Sequence, residues 1–234
     1  MLGIVAALEI EARSLGSFPA TPSGLVHLSP STLLCIAGVG AKKAQVAAEM
    51  LIAKNASALL SWGFAGALHS KLSPGSLILP RRVMYPQKAV FSTDNDWHNR
   101  LLARLANQLE IYTEPLAQSM SAPKSREEKL DFVEQNQALA VDMESASVAE
   151  AAVAAGLPFM AIRAIVDPLE QNIPASAFRA IDERGRLQPF RLLASLAMRP
   201  ADVPILNQLR RNFNAARNTL TTVAQLLEEN FLAF

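Results

Sequence analysis

Residues 33–62 read LLCIAGVGAKKAQVAAEMLIAKNASALLSW, and this stretch decides the fold class. Leu33 to Val39 is an unbroken apolar run, which suits a strand buried on both faces. It ends in Gly38-Val39-Gly40 and opens into Ala41 to Lys54, where Ala44, Ala47, Ala48, Leu51 and Ile52 recur at helical spacing. Ala58 to Trp62 is a second apolar strand, expected to stop at Gly63-Phe64-Ala65-Gly66. Working outward, Gly3 to Leu8, Leu77 to Leu79, Val83 to Tyr85, Ala138 to Val141 and Phe159 to Val166 read as further strands. Trp97 to Leu109, Lys124 to Glu134 and Glu144 to Ala155 read as helices, the last closed by Gly156 and Pro158. Strands alternating with helices predict an α/β chain with a mostly parallel sheet covered on both faces.

The chain changes character after Asp167. Pro168, Pro174, Pro189, Pro200 and Pro204 punctuate it, and Arg179 to Arg217 holds eight arginines and no lysine. A helix is predicted over Ala201 to Leu232. We read residues 1–234 as one domain, of which 168–234 is a helical C-terminal extension.

With 234 residues, half of them apolar, the chain can bury a substantial core without disulfides or metal. Its formal charge of +1 gives no broad basic surface, so a nucleic-acid partner is not expected. Cys35 is the single cysteine, which excludes an intramolecular disulfide framework and fits a reducing compartment. His27, His69 and His98 lie outside metal-ligand spacing of one another, so no metal site is expected. No apolar run reaches the ~18 residues of a membrane span. The N-terminus meets Glu9 and Glu11 too early to be a signal peptide. The expected location is the cytoplasm.

In parallel α/β sheets, sites form at the carboxyl ends of strands. Glu11, Asp142, Glu144 and Asp167 all fall at such ends or just beyond them. Acids at a strand-to-helix turn complement the helix macrodipole, and a carboxylate there also suits the paired hydroxyls of a sugar. The pattern leaves both readings open. Asp167 closes an apolar run broken only by Arg163, and as a residue before Pro168 it equally fits a turn. Gly38-x-Gly40 before a helix can present N–H groups to an anion, yet it falls short of a dinucleotide fingerprint. The nucleophile elbow of Ser-His-Asp hydrolases is missing.

Five segments occur together in one order: Gly3-Ile4-Val5-Ala6-Ala7-Leu8-Glu9-Ile10-Glu11, Gly38-Val39-Gly40-Ala41-Lys42, Gly63-Phe64-Ala65-Gly66, Val141-Asp142-Met143-Glu144-Ser145-Ala146 and Arg163-Ala164-Ile165-Val166-Asp167. In that order and spacing the chain resembles the purine nucleoside phosphorylase/nucleosidase family from residue 1 to about 167. Within it, Val-Asp-Met-Glu-Ser, Asp167-Pro168 and the arginine- and proline-containing tail resemble the hopanoid-associated phosphorylases more than the methylthioadenosine/S-adenosylhomocysteine nucleosidases. The resemblance implies one α/β domain around a mixed, mostly parallel, partly barrel-like sheet, assembled as a homo-oligomer. It implies cleavage of the N-glycosidic bond of an adenine nucleoside, adenosylhopane in the first reading and methylthioadenosine or S-adenosylhomocysteine in the alternative. A non-catalytic nucleoside-binding protein is the third.

The resemblance also implies roles. Asp167 would be the general acid toward the purine N7, and Glu144 with Met143 would hold the ribose. Glu11 would activate water, and the backbone near Ala122 would meet the purine. No cofactor is implied beyond inorganic phosphate as co-substrate. Gly40, Lys42, Gly63 and Arg81 are the candidates to bind it, with Arg82 and Arg126 as further cations. Phe64 stands where the family carries a small polar residue. A lipid-linked nucleoside would also bring the arginine-rich tail to a membrane surface in peripheral contact.

Overall fold

The computed structural model describes residues 1–19, 21, 23–85, 89–123, 125–171 and 203–227. Strands β1 (Leu2–Ala6), β3 (Thr32–Ile36), β4 (Ala58–Ala67), β10 (Ala140–Asp142) and β11 (Phe159–Asp167) build the centre of the sheet. Parallel pairing joins β1 to both β3 and β4, and joins β11 to β4. Around them lie β2 (Leu25–Ser29), β5 (Leu77–Ile78), β6 (Arg82–Tyr85), β7 (Ala89–Ser92), β8 (Ile111–Tyr112) and β9 (Leu116–Gln118). The pairs β2–β3, β6–β7, β10–β4 and β11–β5 are antiparallel, so the sheet is mixed.

Side chains alternate between the two faces of the sheet with period two. From β4, Leu59, Ala65 and Ala67 face α2 (Ala41–Ala53) and α5 (Ser145–Ala154). Ala58, Leu60, Trp62 and Phe64 face the other way, toward α3 (Asn95–Leu105) and the long C-terminal helix. The facing sides of α2 and α5 are alanine-rich: Ala44, Ala47, Ala48, Ala149 and Ala152 are buried, which lets both helices lie close to the strands. Among the described residues the other helices are α1 (Glu9–Ala12), a 3-10 turn after it at Arg13–Leu15, and α4 (Arg126–Asn136).

The C-terminal helix, α6, spans Val203–Leu227. Its Ala216, Leu220, Val223, Ala224 and Leu227 are buried against the sheet, so this stripe is core and not a membrane-facing surface. Most of the arginine-rich segment, 179–202, lies outside the described residues. Among those described, no helix is long and apolar enough to cross a membrane. Leu220→Ala should remove a fully buried side chain and cost about 2–5 kcal/mol. The expected reading is a lower denaturant midpoint with an unchanged slope; an unmoved midpoint would place α6 outside the folding unit.

One expectation is corrected here. β4 does not stop at Trp62 but runs through Gly63-Phe64-Ala65-Gly66 to Ala67, with β11 beside it and β10 joining at Gly66 and Ala67. Gly63 sits inside the strand because other groups need the room. An ideal Cβ on Gly63 would lie 2.3 Å from Arg163 Nη1 and 2.4 Å from Glu11 Oε1.

Candidate active site

Glu11 is the third residue of α1, and its side chain turns back so that Oε2 accepts the Leu8 N–H at 2.7 Å. Oε1 accepts the Phe64 N–H at 2.8 Å, which ties the helix to β4. Trp62 reinforces the tie, its Nε1 donating to Ser14 Oγ at 2.9 Å. Glu11 is thereby fixed in place though only 3% exposed. Burial raises its pKa, opposed by the Arg163 guanidinium and then by the N–H groups of Phe64, Leu8 and Ala7.

The turn between β10 and α5 carries Asp142, Met143 and Glu144. Asp142 ends β10; its carboxylate accepts the Ser145 N–H, at the start of α5, at 3.2 Å and pairs with Arg163 Nε at 2.8 Å. Arg163 also donates to Ser145 and Ser61, and only Nη1 has no hydrogen-bond partner among the described residues. Glu144 Oε1 accepts the Gly40 N–H at 2.8 Å, at the start of α2. Burial and then repulsion from Asp142 push the Glu144 pKa up to about 8, with Arg163 pulling against them.

Asp167 ends β11. The register shifts between Ile165 and Asp167, where Ile165 pairs with Ala65 and Asp167 with Gly66. An irregularity of this kind re-aims a side chain at a strand end. Asp167 Oδ2 pairs with Lys129 Nζ at 2.8 Å, while Oδ1 is buried without a partner among the described residues. Burial raises its pKa and Lys129 opposes the rise.

A hollow of about 360 Å³ brings these groups together. Glu11, Glu144 and Asp167 line it along with Asp142, Met143, Ser119, Ala122 and Pro123; Ala7, Leu8, Val39, Phe64, Val166 and Phe213 make it largely apolar. Phe64 meets Phe213 of α6 edge to face, with ring centroids 5.5 Å apart. Three carboxyl groups widely spaced along the chain thus line one hollow with the expected purine-loop residue.

The structure does not bring the phosphate candidates together. Lys42 is exposed on α2 and Arg81 Nη2 donates to Asn99 Oδ1 at 3.2 Å; neither lines the hollow. Gly40 spends its N–H on Glu144, and Gly63 is small to admit Glu11 and Arg163. Of the further cations, Arg126 pairs with Glu170 on the surface and Arg82 is exposed. Sequence reasoning passed over Arg163, whose signal was a lone charge inside an apolar strand. It also passed over Lys129, which carried no signal at all.

A family model, the Phosphorylase superfamily, matches residues 27–197, and the chain belongs to that superfamily. Among solved structures it is similar to futalosine hydrolase of Helicobacter pylori strain 26695, at 16% identity and a TM-score of 0.68 over 96% of this chain and 97% of that one. It is also similar to 5'-methylthioadenosine/S-adenosyl homocysteine nucleosidase of Campylobacter jejuni, at 17% identity and 0.70 over 97% and 98%. The Neisseria meningitidis nucleosidase of the same kind, in complex with methylthio-immucillin-A, gives 16% and 0.69 over 97% and 98%. At these identities the likeness establishes the fold. No curated protein sequence matches the chain.

Proposed function

We propose that the protein cleaves the N-glycosidic bond of an adenine nucleoside and releases adenine. The observation that carries this reading is the meeting of Glu11, Glu144 and Asp167 on one apolar hollow, with Asp167 Oδ1 unpartnered among the described residues. A departing purine needs a proton, and a buried carboxyl group with a raised pKa retains one to donate. The sugar gains positive charge as the bond lengthens, and carboxylates fixed in advance stabilise it. In this reading Glu144 and Met143 hold the ribose, and Glu11 orients the nucleophile. The backbone around Ala122 meets the base.

Water is the nucleophile that the described wall favours. No lysine or arginine belongs to it, and its acids repel a phosphate dianion. For the substituent at the ribose 5′ carbon we propose a large apolar group, with adenosylhopane as the substrate. The apolar wall of Val39, Phe64, Val166 and Phe213 and the sequence resemblance support this. The similar nucleosidase structures support methylthioadenosine or S-adenosylhomocysteine as the alternative.

The test is adenine release from adenosylhopane and from methylthioadenosine, each with and without inorganic phosphate. Release from adenosylhopane at an equal rate in both buffers, leaving a free reducing ribose, is the expected result. A phosphate-dependent rate with a ribose 1-phosphate product would assign phosphorolysis instead. Faster turnover of methylthioadenosine would transfer the reading to the alternative, and no release from either would end it.

A further inference from the structure

Lys129 is the one lysine among the described residues whose side chain is completely buried. It sits on α4, a helix whose sequence Arg126-Glu127-Glu128-Lys129 looks like any solvated first turn. A buried ammonium is costly unless paired and fully hydrogen-bonded. Here Nζ meets Asp167 Oδ2 at 2.8 Å, Pro168 O at 2.7 Å and Gln171 O at 3.3 Å. The three acceptors belong to the last residue of β11 and to the few residues that follow it. Nζ therefore engages three acceptors, and it fixes which carboxyl oxygen of Asp167 is left over.

We propose that Lys129 is a positioning residue for Asp167. It holds Oδ2, leaves Oδ1 for the base, and sets the pH at which the carboxyl group gives up its proton. This rests on the nucleoside-cleaving reading above. No mechanistic step uses Lys129 directly, since it does not line the hollow.

The charged groups around Asp167 decide the sign. From α4 comes the cation Lys129. The acids Glu11, Asp142 and Glu144 line the same hollow, with Arg163 paired to Asp142. The surface pair Arg126–Glu170 spans the same two segments as Lys129 and Asp167 but is exposed, with both side chains more than half accessible. Removing the Lys129 charge leaves the buried Asp167 carboxyl group without the cation that opposes the effect of burial, so its proton is retained to higher pH. Activity that needs protonated Asp167 is lost as pH rises through that pKa, so the alkaline limb of kcat/KM moves upward.

The experiment compares the pH profile of adenine release for the wild type, Lys129→Met and Lys129→Arg. Lys129→Met is expected to shift the alkaline limb up by about 1–3 pH units, the range for loss of an adjacent opposite charge. Lys129→Arg is expected to keep the limb in place and lose mainly kcat, since the charge remains and the reach changes. A merely structural lysine would lower the folded fraction and leave the limb where it was. That result, or a downward shift, overturns the proposal. Should Lys129→Met not fold, Lys129→Gln reads the same limb; should neither neutral variant fold, Lys129→Arg decides, because a displaced limb with the charge retained also overturns it. Asp167→Asn separates the two levels. If it keeps full activity the nucleoside reading fails, and if it is inactive while Lys129→Met leaves the limb unmoved, only the role of Lys129 fails.

Discussion

Asp167→Asn is expected to slow adenine release by about 10²–10⁴-fold, the usual worth of a positioned general acid. The amide matches the carboxyl group in shape and its oxygen can still accept from Lys129, so the hollow keeps its form. What it lacks is a proton that can be transferred to the leaving base. The loss should therefore appear in kcat, with substrate affinity changed far less, as expected when an interaction made only in the transition state is removed. Rates should be compared at a temperature where both proteins are folded. A wild-type rate in folded Asp167→Asn would dismantle the proposed chemistry and favour a binding protein on this fold.

The sequence marked Asp167, Glu11 and Glu144 as acids at strand ends or just beyond them, with ordinary turn and helix-end readings left open; the family resemblance joined them into a set, and all three line one hollow. The strand–helix–strand reading around residues 33–62 also carried over, since α2 and its flanking strands have strong periodicity and enough length. Legibility failed where length did. β8 is two residues and β9 three, too short for alternation to register. It failed again where a glycine pair was taken as a stop: Gly63 and Gly66 lie within β4, one yielding space to Glu11 and Arg163, the other pairing with Val141 and Asp167. Space for a distant side chain leaves no local mark. The same holds for Lys129, whose partner is separated from it by most of α4, β10, α5 and β11.

Arg163→Met is expected to be the most destabilising single change at the site. It leaves the Asp142 carboxylate, 1% exposed at its side chain like Arg163 itself, without its cation, and breaking a buried pair from one side costs about 3–5 kcal/mol. It also withdraws the cation that lowers the pKa of both Glu11 and Glu144. The pH dependence follows from those two groups. Both have folded-state pKa values raised above 4.5, so each stabilises fully below that pH and loses the contribution as pH climbs through its folded value. For Glu144 that value is about 8. Without Arg163 both values rise further, so the folded variant holds its extra protons to higher pH than the wild type does. The gap in unfolding free energy between the two proteins should thus widen from pH 5 to pH 9. Chemical denaturation at the two pH values measures it; a gap that is absent at both, or that narrows with rising pH, would mean that Arg163 does not hold this cluster of acids together.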